Sequence, residues 1–432
     1  MTMSTLRQPG LVMTDHTFTV PLDHAAPDGA TIEVYAREVV APDRETDDLP
    51  WLLFLQGGPG CPSPRPIGAE TWLGRALGEF RVLLLDQRGT GRSTPVNRRT
   101  LAGLGDPTEQ AAYLGHFRAD SIVRDAELIR HALIGEQTWS VLGQSFGGFC
   151  ATTYLSIAPE GLREVFITGG LPGLQADAAT VYRATYPHVA AKTAAHYARY
   201  PDDAATVKRI AAHLRDNEVE LPGGGRLTVE AFQALGQMLG RGSGSHSLHY
   251  LLEDAFADGG DWLSDAFLTE VKEQLSFAST PLYAALHEAI YAQGAGATDW
   301  AAHRVRTEFP SFAADADLVS EAPLLFTGEM IYPWQFELDP ALRPLRAAAD
   351  LLAARTEWPS LYDAERLATT TVPVAAAVYH DDMYVDAGLS LETAAAIKGC
   401  RVWVTNEWEH DGLRASGGGV LDRLIAMARG AA

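Results

Sequence analysis

Short apolar runs without polar alternation mark the first third of the chain. They cover residues 51–55, 81–85 and 139–142, and each one stops at a polar or glycine-rich segment. Such runs are typical of strands that are buried on both faces of a parallel sheet. Between them, residues 120–133 carry apolar side chains at helical spacing. The alternation of strand and helix predicts βαβ crossovers.

The pattern changes in the middle of the chain and returns near its end. Residues 171–367 have helical periodicity, and we interpret the Gly/Ser tract at 240–247 as a loop between helices. Strand-like runs reappear at 372–379 and 401–405. We therefore predict an α/β protein with a mostly parallel sheet flanked by helices and a large inserted helical cap. The predicted parts are residues 1–170 and 368–432 for the sheet-bearing body and residues 171–367 for the cap.

Composition and charge narrow the possible partners. The chain has 432 residues, of which 47% are hydrophobic and 21% charged, as in a globular protein. Its formal net charge of −21 argues against binding to nucleic acids or anionic membranes, which require a basic surface. The cysteines are sparse, residues 1–16 show no signal-peptide pattern, and no apolar window is long enough to span a membrane. We predict a cytoplasmic protein with reduced thiols, and leave open whether it forms a homo-oligomer.

A G-x-S-x-G motif at residues 143–147 places Ser145 between a predicted strand and a predicted helix. This is the context of a nucleophile elbow, where glycines make room for a sharp strand-to-helix turn around the serine. The helix that follows directs the positive end of its dipole at the nucleophile, which favours developing negative charge. We therefore predict that Ser145 is a catalytic nucleophile.

A serine nucleophile of this kind is followed along the chain by an acid and then by a histidine base. The histidine that remains after residue 380 is His410, just past the last predicted strand. The acid should follow the preceding strand, where Asp381, Asp382 and Asp386 compete. We choose Asp382. Asp381 stays as the alternative, because the residue types alone do not separate the two.

Two backbone N–H groups are predicted to hold the oxyanion that forms when a serine attacks a carbonyl. One belongs to Phe146, directly after the nucleophile. The other belongs to Gly58 in the glycine-rich segment 56–60, because a glycine lets the main chain approach the substrate closely.

Two further segments imitate cofactor or metal motifs. Residues 86–91 contain a G-x-G after a strand, but Thr94 replaces the third glycine of a dinucleotide fingerprint. Residues 287–291 resemble the zinc motif H-E-x-x-H but end in Tyr291. We therefore predict neither a cofactor nor a metal site.

Taken together, these residues resemble the prolyl aminopeptidase (proline iminopeptidase) family of serine peptidases, in its longer bacterial form with an enlarged cap. One departure is Gln56, which stands where shorter members carry a histidine before the glycines. The matching segments are residues 20–24, 55–60, 86–93, 143–148, 382–385 and 409–414.

The resemblance implies an α/β-hydrolase fold and the release of an N-terminal residue, typically proline, from small peptides with a free N-terminus. It favours Asp382 over Asp381 as the acid. It also implies that two cap carboxylates, Glu288 and Glu329, bind the free amine of the substrate. A buried ammonium group does need an acceptor of opposite charge. An esterase or amidase of the same fold, acting on small acyl substrates, remains the alternative function.

Overall fold

The computed structural model describes residues 4–69, 71–256 and 260–431. The strands are β1 Ser4–Gln8, β2 Leu11–Pro21, β3 Thr31–Val40, β4 Trp51–Leu55, β5 Arg81–Asp86, β6 Trp139–Gln144, β7 Leu162–Thr168, β8 Val219–Leu221, β9 Gly225–Leu227, β10 Gly294–Ala295, β11 Glu357–Trp358, β12 Val374–Tyr379 and β13 Arg401–Thr405. The helices are α1 Thr71–Leu77, α2 Arg98–Ala102, α3 Pro107–Leu114, α4 Ala119–Ile134, α5 Phe146–Ile157, α6 Ala178–Arg199, α7 Asp203–Asp216, α8 Val229–Gln233, α9 Gly244–Glu253, α10 Asp265–Leu275, α11 Pro281–Leu286, α12 Ala301–Arg306, α13 Gln335–Leu338, α14 Arg346–Ala353, α15 Ala364–Thr369, α16 Ala387–Ala396, α17 Gly412–Ala415 and α18 Gly419–Ala428.

The main sheet takes strands from both ends of the chain. Its order within the described residues is β1-β2-β3-β5-β4-β6-β7-β12-β13. The pairs from β5 to β13 are parallel, whereas β1, β2 and β3 join the sheet through antiparallel pairs. The predicted mostly parallel sheet is therefore confirmed. The carboxyl ends of β6, β12 and β13 lie at the same edge, where the loops after them can meet.

Alternating side chains on the strands divide the apolar core of the body into two layers. Leu52 and Phe54 of β4 pack with α1 and α18 on one face, and Phe54 stacks on Trp72 with ring centroids 4.4 Å apart. Leu53 and Leu55 pack with α4 and α5 on the other face. Since successive side chains of a strand point to opposite faces, one apolar run fills both layers.

The segment between β7 and β12 is mainly helical and has an apolar core of its own, as predicted for a cap. Tyr186, Phe232 and Phe326 are buried in this core, and the Tyr186 hydroxyl donates to the carbonyl of Ala302 at 3.1 Å. Helix α15 packs against α5 of the body. The division of the chain at residues 171 and 367 stays a prediction.

The predicted loop at residues 240–247 is wrong in its second half, because α9 begins at Gly244. This glycine serves close packing: a Cβ there would overlap the carbonyl of Met238. Leu248 and Leu252 of α9 are buried in the cap core. Tertiary packing therefore overrides the loop signal of the glycines and serines.

In the part of the chain that the structure describes, no helix has both the length and the apolar character needed to cross a bilayer.

Candidate active site

Ser145 occupies a sharp turn between β6 and α5. Its backbone has φ of 57° and ψ of −127°, a conformation that residues other than glycine rarely adopt. The N–H group of Ser145 donates to the carbonyl of Thr168 at 3.0 Å, which ties the turn to the end of β7. A strained residue held between a strand and a helix is the geometry of a nucleophile elbow.

The glycines around Ser145 are required for space. A Cβ on Gly143 would overlap the carbonyl of Gly147, and one on Gly147 would overlap the carbonyl of Leu55. A Cβ on Gly57 would lie 2.8 Å from the Cβ of Ser145. The turn, the neighbouring strand β4 and the loop after it could not approach this closely with any larger residue.

His410 and Asp382 form a buried pair after β13 and β12. The Nδ1 atom of His410 lies 2.6 Å from Oδ2 of Asp382, whose exposed fraction is 1%. The other oxygen, Oδ1, accepts the N–H groups of Tyr384 at 2.8 Å and Val385 at 3.2 Å. These bonds fix the carboxylate, which in turn fixes the orientation of the imidazole.

Asp381, the alternative acid, faces away from this pair. Its side chain is 57% exposed, and its Oδ1 lies 2.8 Å from Nδ1 of His380 on the surface. The structure therefore brings Asp382, and not Asp381, to the imidazole of His410.

The charge state of His410 reflects two opposing influences. Burial of the ring lowers its pKa, but the negative charge and hydrogen bond of Asp382 outweigh burial, so the pKa is raised above its usual value. The ring of Tyr384 packs edge-on against the imidazole, with centroids 4.8 Å apart. A raised pKa favours the imidazolium that forms when a base accepts a proton.

Ser145 and His410 border the same pair of glycines at the end of β7. A Cβ on Gly169 would lie 3.2 Å from Nδ1 of His410, and one on Gly170 would overlap the carbonyl of Ser145. The hydrogen bonds of residues 4–69, 71–256 and 260–431 include none from the Ser145 hydroxyl to His410. Catalytic hydrogen bonds are often long without substrate and tighten in the complex.

The two predicted oxyanion donors flank Ser145. Phe146 is the first residue of α5, so its N–H group has no acceptor within the helix. Gly58 has φ of 142°, a conformation that favours glycine, and it belongs to the loop that Gly57 packs against Ser145. Both groups could therefore face a carbonyl attacked by Ser145.

A hydrogen-bond network around Gln56 holds this loop, and no pattern in the sequence indicates it. The Nε2 group of Gln87 donates to the carbonyl of Gln56 at 2.9 Å, and Nη2 of Arg414 donates to its Oε1 at 2.9 Å. Gln87 belongs to segment 86–91, in which Arg88 forms a buried ion pair with Asp125 at 2.6 Å. The side chains of this segment thus support the body and the glycine-rich segment 56–60, which we call the glycine loop.

Glu288 lies in the cap just after α11 and is nearly fully buried. Its Oε1 accepts the N–H group of Ala302 at the start of α12, at 2.9 Å. Its Oε2 has no hydrogen-bond partner among the described residues. Burial raises the pKa of Glu288 to about 7, against the hydrogen bond from the Ala302 N–H group, which lowers it. An unpaired buried oxygen of this kind is suited to a cationic group.

Glu329 is half-buried and lies closer to His410. Its carboxylate accepts a hydrogen bond from the Tyr283 hydroxyl, and its backbone carbonyl accepts one from Nε2 of His287 at 3.2 Å. Its negative charge contributes, after Asp382, to the raised pKa of His410. Burial raises the pKa of the Tyr291 hydroxyl well above its usual value, and the charge of Glu329 raises it further.

Within the described ranges, no group of three or more His, Cys, Asp or Glu side chains is placed to hold a metal ion. Nε2 of His287 is engaged with the carbonyl of Glu329. Tyr332 is buried in the cap core with its hydroxyl 3.0 Å from that of Tyr186.

The family described as "alpha/beta hydrolase fold" matches residues 50–413, so the fold is that of the α/β-hydrolases. Two relatives narrow the class. The proline iminopeptidase of Aeromonas sobria is 52% identical over 97% of this chain and 97% of its own length. A proline iminopeptidase of Aspergillus aculeatus is 38% identical over 95% of this chain and 92% of its own length. The chain therefore belongs to the proline iminopeptidase family, which confirms the resemblance and the fold class predicted from the sequence.

Proposed function

We propose that the protein is a serine exopeptidase that releases an N-terminal residue, preferentially proline, from small peptides. The nucleophile is Ser145, the base is His410 and the acid is Asp382. The observation that carries the proposal is the 2.6 Å contact between His410 and Asp382 beside the strained Ser145 turn. A serine, a histidine and a buried carboxylate in this arrangement are the groups that acyl-transfer chemistry requires.

Family membership supports the activity and makes the protein a hydrolase. Two relatives of nearly full length carry the name proline iminopeptidase, and this chain aligns with the first of them over 97% of its residues. Both the elbow around Ser145 and the segment of Glu288 and Glu329 lie inside the aligned length. The proposed specificity for proline rests on these relatives.

The reaction proceeds in two steps. Ser145 Oγ attacks the scissile carbonyl as His410 takes its proton, and the N–H groups of Phe146 and Gly58 hold the oxyanion. The C–N bond then breaks, and His410 gives the proton to the leaving amine. Water, deprotonated by His410, hydrolyses the acyl-enzyme and frees the N-terminal residue and Ser145. Asp382 stabilises the imidazolium in both steps.

The cap supplies the preference for a chain end. Glu329 accepts the substrate ammonium beside the triad, and the unpaired Oε2 of Glu288 supplies a second negative charge. An ammonium bound there stabilises the ionised form of Glu288, which burial otherwise disfavours. A peptide with a blocked N-terminus lacks this charge and would leave the carboxylates unpaired.

The cellular setting follows from the thiols. Cys61, Cys150 and Cys400 are free, which fits a reducing compartment, and we propose that the protein acts in the cytoplasm on small peptides. Whether it forms a homo-oligomer stays open.

One assay tests the proposed function. We expect the purified protein to hydrolyse proline β-naphthylamide and to leave N-acetyl-proline β-naphthylamide intact. Within a panel of other aminoacyl β-naphthylamides, the proline compound should have the highest kcat/KM. Equal hydrolysis of the acetylated compound would favour an amidase or esterase without a need for a free amine.

A further inference from the structure

A cavity of about 180 Å³ opens between the glycine loop of the body and the cap. Cys61, which follows the glycine loop, lies on one side of it, and Gln237, Arg241 and Tyr283 of the cap lie on the other. Its volume is below the roughly 300–1,000 Å³ of sites for drug-sized ligands. The cavity is therefore suited to a small fragment, of about one amino-acid residue.

One side of this cavity connects to the proposed amine site. The Tyr283 hydroxyl donates to the carboxylate of Glu329, and Nε2 of Gln237 donates to the Tyr283 oxygen at 2.7 Å. This chain of side chains runs from Glu329 along the cavity wall. A substrate with its ammonium at Glu329 would therefore have this cavity within reach.

Arg241 also lines the cavity on its cap side, and Arg414 comes from the segment that follows the proposed base His410. The residues that flank Arg241 are fixed to the His410 segment: the His410 N–H donates to the Gly240 carbonyl at 3.2 Å, and the Gly242 N–H donates to Oδ1 of Asp411 at 3.1 Å. Arg414, from the same segment, donates to Gln56 at 2.9 Å.

Both arginines are exposed, and the charge of Asp411 acts favourably on Arg414. Among the described residues, neither Arg241 nor Arg414 forms an ion pair with a carboxylate, and Asp411 instead accepts the Gly242 N–H. Burial, followed by the charge of Arg241, lowers the pKa of Arg414. Both guanidinium groups also act on the Cys61 thiol against burial and Glu329, which raise its pKa to about 11. Two guanidinium groups without an ion pair, one of which lines the cavity, attract an anion.

We propose that this cavity binds the residue after the scissile bond, and that Arg241, with Arg414 beside it, binds the C-terminal carboxylate of a dipeptide substrate. The inference rests on the proposed function, because it assumes an ammonium at Glu329 and a peptide bond at Ser145. It makes the site complementary to a zwitterion, with carboxylates at the amine end and guanidinium groups at the acid end. The protein is then a dipeptide-preferring member of its class.

The test compares Pro-Ala, its C-terminal amide Pro-Ala-NH₂ and proline β-naphthylamide, with wild type, Arg241→Gln and Arg183→Gln. The last is a matched control, because Arg183 is an exposed cap arginine paired with Glu308 at 2.8 Å. The measured quantity is the ratio of kcat/KM for Pro-Ala to that for the amide. A ratio taken within one variant cancels any general loss of activity or of folded protein.

We expect Arg241→Gln to lower this ratio about tenfold, because charge-assisted hydrogen bonds to the carboxylate are lost. Arg183→Gln should keep the wild-type ratio. Added salt should lower the ratio in the wild type, which tests the inference even if the variant fails to fold.

The carboxylate site is overturned if neither Arg241→Gln nor salt changes the ratio for Pro-Ala and its amide. The proposed function stays intact in that case, provided that proline β-naphthylamide is hydrolysed. If none of the three prolyl compounds is hydrolysed, the proposed function itself fails. A third outcome uses two further substrates, Pro-Glu-NH₂ and Pro-Gln-NH₂. If Arg241→Gln leaves the ratio for Pro-Ala and its amide unchanged but lowers kcat/KM for Pro-Glu-NH₂ relative to Pro-Gln-NH₂, the arginines bind an acidic side chain, and the inference is also overturned.

Discussion

The body and the cap of this protein bring their site residues together in different ways. In the body, the proposed catalytic residues follow β6, β12 and β13, so a parallel sheet with short loops brings them to one edge. In the cap, Glu288, Glu329 and Arg241 lie on separate segments that only the packing of the helical core brings near the site. Chemistry therefore depends on short local motifs, whereas selection of the substrate depends on long-range packing.

Among changes in the body, replacing Ser145, the proposed nucleophile, should lower the activity most. Ser145→Ala is expected to lower kcat for proline β-naphthylamide by roughly 10³–10⁶-fold, because the acyl-enzyme cannot form. Circular dichroism should show a folded protein. Ser156→Ala is the matched control, since this serine lies on α5 and its hydroxyl donates to the Thr152 carbonyl at 3.1 Å. Near-normal activity of Ser145→Ala would exclude this residue as nucleophile.

The two neighbouring aspartates give the next largest contrast. Asp382→Asn should lower kcat by about 10⁴-fold, because an amide cannot hold the imidazole tautomer or stabilise its charge. Asp381→Asn removes an equal charge one residue away at the surface and should change kcat little. Similar losses in both variants, measured by steady-state kinetics, would remove the reason for choosing Asp382.

Removing a cap carboxylate should lower the hydrolysis of substrates with a free amine more than that of substrates without one. We expect Glu329→Gln to lower kcat/KM for proline β-naphthylamide by about 10²-fold, because the substrate ammonium loses a buried partner. Hydrolysis of p-nitrophenyl acetate, which has no ammonium, serves as the reference in the same variant. Glu308→Gln, an exposed cap carboxylate paired with Arg183, is the matched control. Equal losses on both substrates would point to damage in the body instead.

The smallest effect concerns the stability of the cap. The pKa of Glu288 is raised from 4.5 to about 7 in the folded protein. Its contribution to the free energy of unfolding is therefore complete below pH 4.5 and is lost as the pH rises through about 7. Glu288→Gln cannot ionise, so the fall in unfolding free energy from pH 5 to pH 8 should be smaller by about 2–3 kcal/mol. Urea unfolding at the two pH values measures it, and an unchanged fall would contradict the buried ionisation.

Much of the body could be predicted from its sequence because its signals are local. The helix predicted at 120–133 is observed as Ala119–Ile134, and the strand at 401–405 is observed at those bounds. The G-x-S-x-G motif specifies its turn, since larger residues cannot occupy Gly143 or Gly147. The exposed strand β1 was missed because its polar residues carry no apolar pattern.

The remaining features depend on distant pairings that no local pattern encodes. Gln56 and Arg414 are 358 positions apart in sequence and meet only in the folded protein. Residue chemistry could not separate Asp381 from Asp382, because the choice depends on which side of one turn faces His410. In the cap, Gly244 imitates a loop residue while packing against Met238. The roles of the site residues stay proposals.

The central claim is that the body holds Ser145 as a nucleophile activated by His410. An organophosphonate probe, followed by mass spectrometry of the peptides, tests this claim most directly. We predict one phosphonyl group on Ser145, with activity lost in proportion to labelling and with much slower labelling of Asp382→Asn. Loss of activity with the probe on another residue and Ser145 unmodified would contradict the claim.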